Sequence, residues 1–197
     1  MSHFNNKAKN WDSGDSRVNG AKKIADVIEQ KVTLTQDMEI LDFGVGTGLL
    51  GFTVAKRVKQ VYGVDTSVEM LSKLQDKNTK ECNIIAYHQD IFTKPIEKTF
   101  DGVISSMTLH HIEDLDAFFQ TIYKNICLGG FLAIADLEKE DGSFHSDNTG
   151  VFHFGFDTKS LCKIVQNCGF KNVSMENINT INKSNKSFGV FLLTATK

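Results

Sequence analysis

Apolar residues follow two alternating patterns along this chain: short unbroken runs, and longer stretches where they recur every three or four positions. Between 17 and 31, Val18, Ala21, Ile24, Ala25, Val27 and Ile28 recur at helical spacing. A short apolar run at 39–43 predicts a first strand, and 49–57 a helix after it. The run at 58–65 predicts a second strand, and 67–78 a helix carrying Val68, Met70, Leu71 and Leu74 on one side, with Thr66 or Ser67 as N-cap. Strands follow at 83–88 and 100–106. The stripe of Leu115, Phe118, Phe119, Ile122 and Ile126 predicts a helix over 114–128, closed by Gly129-Gly130 before a fifth strand at 131–137. A last helix at 157–168 ends at Gly169. Two longer strands, 171–181 and 186–196, are joined by a polar turn over 182–185 whose hairpin length makes them antiparallel.

Strand and helix alternating in this way imply a doubly wound, mostly parallel seven-stranded sheet, with a C-terminal antiparallel strand pair. Runs that do not alternate suit strands buried on both faces. Such a sheet binds its ligand outside the carboxyl ends of the strands, where strand order reverses. Asp42, Gly44, Asp65, Asp90, Ser105 and Ser106 all fall at those ends. A length of 197 residues fits one domain spanning 1–197. The polar segment 1–16 is expected to be flexible or to act as a lid, with Trp11 folding over the ligand.

Composition narrows the partners. A net charge of −2 with dispersed lysines gives no electrostatic case for nucleic acid. The polar first twenty residues lack an apolar signal core, and no apolar run is long enough to span a bilayer, so no membrane insertion and a cytoplasmic location are expected. Cys82, Cys127, Cys162 and Cys168 form no C-x-x-C pair, which argues against a zinc site or disulfide framework.

The richest segment is Ile40-Leu41-Asp42-Phe43-Gly44-Val45-Gly46-Thr47-Gly48. An apolar run ends in an acid, glycines follow at alternate positions, and a helix starts at once. Glycine there permits positive φ and close approach by a ligand, while the first helical N–H groups point at it. Two cofactors compete. Gly46-Thr47-Gly48-Leu49-Leu50-Gly51 matches G-x-G-x-x-G, with Asp65 in range of a dinucleotide ribose. An NAD(P)-dependent oxidoreductase would also need a substrate half, or the Tyr-x-x-x-Lys pair of short reductases. Tyr62, Tyr87 and Tyr123 are followed four places on by Thr66, Ile91 and Cys127.

The second reading rests on four segments in order: the glycine segment, Val61-Tyr62-Gly63-Val64-Asp65, Gln89-Asp90-Ile91-Phe92, and Phe100-Asp101-Gly102-Val103-Ile104-Ser105-Ser106. Together they resemble the class I S-adenosylmethionine (SAM)-dependent methyltransferases. Leu109-His110-His111 after the fourth strand is similar to the UbiE-type small-molecule group. The resemblance covers about 34–137 and implies a Rossmann-like methyltransferase fold. The cofactor it implies is SAM, with S-adenosylhomocysteine (SAH) as product. It implies Asp42 near the SAM ammonium, and backbone approach at Gly44, Val45, Gly46 and Gly48. Asp65 and Thr66 would lie at the ribose, where a carboxylate can accept both hydroxyls. Asp90 would take the adenine amino group, with Ile91 against one face of the ring and Met70 on the other face or in the core. Ser105 and Ser106 would line the methionine side. A SAM-binding protein without catalysis is the non-enzymatic alternative.

Methyl transfer from a sulfonium is an in-line displacement in which positioning does much of the work. A base is needed only if the acceptor must lose a proton. Ser105-Ser106-Met107-Thr108 is not the Asn/Asp-Pro-Pro-Tyr/Phe turn of amino-nitrogen methylases. Pro95 precedes Ile96, so no Pro-Cys nucleophile exists. Paired glutamates of the protein-arginine type are missing too. A small organic acceptor remains. The stretch 141–156 is a long loop rich in Phe144, Phe152, Phe154, Phe156, His145 and His153, which suits an apolar acceptor with polar handles. Of the four base candidates His110, His111, His145 and His153, His153 comes first and His111 second. Adjacent histidines show no metal-ligand spacing, so no metal is expected. Oligomeric state is not legible.

Overall fold

The structure is a computed structural model and describes residues 11–13, 15–183 and 186–197. Its helices are α1 (Asp15–Lys31), α2 (Leu49–Val54), α3 (Val68–Lys77), α4 (Leu115–Asn125) and α5 (Thr158–Asn167). Its strands are β1 (Glu39–Phe43), β2 (Gln60–Asp65), β3 (Ile84–His88), β4 (Phe100–Ser106), β5 (Ile126–Leu137), β6 (Lys171–Lys183) and β7 (Lys186–Thr196). They form one seven-stranded sheet in the order β3-β2-β1-β4-β5-β7-β6. The first five strands are parallel, and β7 runs antiparallel to both β5 and β6. The order reverses between β1 and β4. The flexible segment or lid expected at 1–16 lies mostly outside the described residues, as do 184 and 185 of the hairpin turn.

Successive side chains on a strand point to opposite faces, so each central strand feeds two cores. Ile40, Val61 and Ile104 pack with Ile24 and Ile28 of α1, Val54 of α2 and Leu74 of α3. Leu41, Val103 and Leu132 pack on the other face with Phe118, Phe119 and Ile122 of α4 and Leu161 and Val165 of α5. Helix starts are chemically marked. Ser67 Oγ accepts from Met70 N (3.3 Å), Asp114 Oδ1 from Ala117 N (2.9 Å) and Asp157 Oδ1 from Ser160 N (3.0 Å).

One boundary departs from expectation. The α4 stripe predicts helix through 128, but Ile126 is the first residue of β5 and pairs with Phe100. Ile126 sits four residues after Ile122, so a helical continuation and a buried strand residue look alike in sequence. Gly129 (φ +81°) and Gly130, whose absent Cβ would meet Asp101 O at 2.7 Å, carry the irregular register between Phe100 and Gly102. Helix α2 is also shorter than predicted, ending at Val54.

Candidate active site

The loop after β1 is held open by glycine. Gly44, Gly46 and Gly48 have φ of +68°, +53° and +84°. At Gly44 a side chain would also collide with Thr108, so the glycine serves both backbone and packing. Gly44 N and Val45 N donate to Val64 O at 2.9 and 3.1 Å, tying the loop to β2. Val45 is itself buried against Gly63 and therefore offers the loop its main chain.

Two acids stand at the ends of β1 and β2. Asp42 is 2% exposed, and among the described residues its Oδ2 is the buried side-chain oxygen with no hydrogen-bond partner. Burial first, and the Asp65 charge second, push its carboxyl well above the usual range, with the Gly51 N–H pulling the other way. A side chain at Gly51 would come within 2.8 Å of that oxygen. Asp65 braces the loop: Oδ2 accepts from Gly46 N (2.9 Å) and Oδ1 from Ser67 N (2.8 Å). Burial raises its pKa while those two N–H groups oppose the rise. A carboxylate has roughly four lone-pair sites, so these bonds leave acceptor capacity for a ribose diol. An ammonium beside Asp42 would pair the orphaned oxygen. On both counts the residues present fit SAM.

The other expected contacts are placed unevenly. Thr66 is exposed beside Asp65, and its carbonyl accepts from His88 Nε2 (3.2 Å). Asp90 is exposed, with Oδ1 accepting from Phe92 N (2.9 Å). Met70 and Ile91 are each 2% exposed, Ile91 within the core on the α4 side. Ser105 Oγ is buried and donates to Phe43 O (2.7 Å), stapling β4 to β1, while Ser106 stays half-buried at the strand end.

An unforeseen contact comes from the N-terminal side. Trp11 to Ser13 form a 3-10 turn in which Asp12 accepts from Thr47 Oγ1 (2.6 Å) and pairs with Lys77 Nζ (2.8 Å). Arg17 lies over the Trp11 ring at 4.5 Å. This turn is moored to the glycine loop itself. The signal in the sequence was Thr47, a hydroxyl among glycines.

Beyond β4 the chain turns sharply through Met107, a non-glycine residue at φ +57°. Thr108 then packs on Gly44, and Leu109–His111 form a 3-10 turn. The 141–156 loop folds onto that turn, with Phe152 N and His153 N both donating to His110 O (3.0 and 3.2 Å). Its phenylalanines divide. Phe144 packs on Phe188 and Phe156 on Phe191, whereas Phe152 and Phe154 are exposed.

The histidines divide as well. His110 is buried, with Nδ1 2.7 Å from Asp136 Oδ1 and Nε2 3.0 Å from His145 Nε2. His111 donates from Nδ1 to Gly150 O (2.6 Å). His153 stands apart: its Nε2 donates to Ile112 O (2.9 Å), and it lines a shallow groove with Glu113, Asp114 and Ile164. Its place in the aromatic loop put His153 first among the base candidates, but the fold gathers His110, His111 and His145 with one another, just after the Thr108 that packs on Gly44. Asp136, which fixes His110, was missed because a lone acid at the end of an apolar run gives no hint of its partner.

A family model described as "Methyltransferase domain" matches residues 40–130. An uncharacterised methyltransferase of Schizosaccharomyces pombe is 32% identical over 75% of this chain and 56% of its own length. Phosphoethanolamine N-methyltransferase 1 of Triticum aestivum is 29% identical over 74% of this chain but only 31% of its own length. The chain thus spans from about half to under a third of these relatives. Among solved structures, a DhpI–SAH complex superposes with a TM-score of 0.78 at 17% identity, covering 98% of this chain and 92% of that one. A phosphoethanolamine N-methyltransferase 2 of Haemonchus contortus, bound to phosphomonomethylethanolamine and SAH, gives 0.76 at 18%, covering 96% and 56%. At such identities the likeness is one of fold. No described helix is long and apolar enough to cross a membrane. Sheet order, glycine loop and strand-end acids agree with these matches: the fold is the Rossmann-like methyltransferase fold, and residues 40–130 are similar to a methyltransferase domain.

Proposed function

We propose that this chain transfers the SAM methyl group to a small organic acceptor held between the glycine loop and the 141–156 loop. The observation that carries the reading is the docking of that loop on Leu109–His111. It sets half-buried His111 and His145, with exposed Phe152 and Phe154, around the end of β4. Apolar walls with a few convergent polar groups are the usual form of a small-molecule site. The phosphoethanolamine N-methyltransferases among the relatives, whose named substrate is small and polar, support the same class. Within the family we keep the UbiE-type small-molecule group, on the Leu109-His110-His111 segment.

SAM supplies an electrophilic methyl and a good leaving group. What the protein contributes is placement. The glycine loop admits the methionine end, Asp42 pairs its ammonium, and Asp65 holds the ribose while bracing the loop. His111, whose Nδ1–H is spent on Gly150 O, carries its lone pair on Nε2 and is the better-placed base where an acceptor must lose a proton.

The test is turnover of SAM to SAH against a panel of small amines, alcohols and acids. Methylated product from at least one member is expected, with His111→Gln slower than the parent and His153→Ala near it. Tight NAD(P) binding without SAM binding would sink the reading. SAM binding without product from any acceptor would favour a non-catalytic SAM-binding protein.

A further inference from the structure

We propose that His110, His111 and His145 form a site for one divalent transition-metal ion, zinc by preference, with Asp136 as its supporting carboxylate. One ring nitrogen from each histidine lies within 4.8 Å of the others. The rings crowd together, with centroids 4.1 Å apart for His110–His111, 5.0 Å for His110–His145 and 5.7 Å for His111–His145. A tetrahedral ion with bonds of about 2.0–2.1 Å holds its nitrogens about 3.4 Å apart. The His110–His145 pair is at 3.0 Å and the set spans no more than 4.8 Å, so ring rotations that move the nitrogens by up to about 1.4 Å would close it.

Two of the three tautomers are already those a metal needs, and His145 has only to give up the Nε2 proton it shares with His110. Asp136 and His110 are 0% and 1% exposed, and the carboxylate accepts from His110 Nδ1 (2.7 Å), His110 N (3.3 Å) and Leu137 N (2.7 Å). Burying a carboxylate is costly unless it is fully bonded, and this one fixes the His110 ring with its lone pair on Nε2. His111 likewise gives its Nδ1–H to Gly150 O. A histidine whose second nitrogen donates to a carboxylate or a backbone carbonyl is the usual metal-ligand arrangement, and it raises ligand basicity. The third ligand is held as firmly. His145 follows Phe144, which packs on Phe188 and accepts at its carbonyl from Lys183 Nζ (2.7 Å).

The donor chemistry selects the ion. Three neutral imidazoles without thiolate suit zinc, and less specifically cobalt or nickel, rather than magnesium or calcium. Three protein ligands leave a fourth position for another group, the pattern of a working site and not of a purely structural one. The site adjoins Thr108 and hence the glycine loop, where the acceptor is proposed to sit. It rests on the methyl-transfer reading for its use, not for its existence, and it replaces the base role given to His111 above, since a nitrogen bound to the ion has no lone pair left for an acceptor proton. Adjacency in sequence could not reveal it, because His145 arrives 34 residues after His111 on a different loop.

The test uses the full chain, stripped with a chelator and desalted, then titrated with Zn2+ by calorimetry and with Co2+ by visible absorption. One equivalent of Zn2+ is expected, and Co2+ should give the strong visible bands of a four-coordinate ion. His111→Gln and His145→Gln should each weaken Zn2+ binding at least tenfold, and Asp136→Asn by about 10–100-fold. His88→Gln, a histidine away from the cluster, should leave it unchanged. The half-buried His111 and His145 variants are expected to fold, and circular dichroism verifies this. No stoichiometric Zn2+ binding by the folded parent, or equal affinity in His145→Gln, overturns the proposal and leaves an N–H···N pair between His110 and His145. SAM affinity measured on the same samples separates the two readings: SAM binding without Zn2+ binding refutes the metal site alone.

Discussion

Asp42 shows how one residue can trade stability for binding. Its buried, partnerless oxygen is held at a raised pKa, so between the ordinary carboxylate range and that raised value the folded chain keeps a proton the unfolded chain has lost. Stability therefore falls as pH rises through that window. Asp42→Asn should melt higher than the parent at pH 7, with the difference closing as pH is lowered toward the ordinary carboxylate range. The same variant should bind SAM at least tenfold more weakly, about 1.4 kcal/mol, because an amide cannot neutralise an ammonium. In the parent, SAM affinity should rise with pH as this carboxyl ionises. Unchanged SAM affinity in Asp42→Asn would remove the ammonium contact. The sequence located this acid at a strand end. That one oxygen has no partner follows from its position beneath α2, which no local pattern encodes.

At the scale of elements, helix ends and loop anchors carry separable consequences. Asp114 caps α4 through Ala117 N, and Asp114→Ala should cost about 1 kcal/mol, or about 2–4 °C in Tm for a chain of this size. SAM affinity should not change, since α4 lies on the face away from α2 and α3. Asp157 caps α5, and its bonds to Ser160 hold its carboxyl below the usual range. Its contribution is present at neutral pH and is lost as pH falls through that lowered value. Phe144 anchors the 141–156 loop against β7. Phe144→Ala should cost toward the lower end of the ~3–5 kcal/mol typical of such truncations, because the loop sits at the margin of the core. Acceptor KM should rise far more than the dissociation constant for SAM, since this loop is the one proposed to hold the acceptor. Equal loss of both would mean the loop serves the whole sheet. The starts of these helices were legible from the apolar stripes, while the capping role of Asp114 and Asp157 came from the structure. The β5 start was not legible, since Ile126 satisfies helix and strand periodicity alike.

For the whole molecule, a ligand that binds only the folded chain stabilises it by mass action. SAM at 100 times its dissociation constant should add about 2.7 kcal/mol, raising Tm by about 5–11 °C, and NAD(P) should add nothing. A shift with NAD(P) and none with SAM would reverse the cofactor assignment. The amino-acid sequence alone was enough for the element order, the parallel core with its antiparallel end, the glycine loop and the acids at 42 and 65. Each is written locally, in the period of apolar residues or in residues whose backbone freedom or charge has one use at a strand end. Folding was needed to bring Asp12 to Thr47, to turn Ser105 into a staple between β1 and β4, and to set His153 apart. Folding also gathered His110, His111, His145 and Asp136 from three segments. Contacts between distant segments depend on crossovers and loop docking, and a period of 2 or 3.6 residues carries no information about which loops will meet.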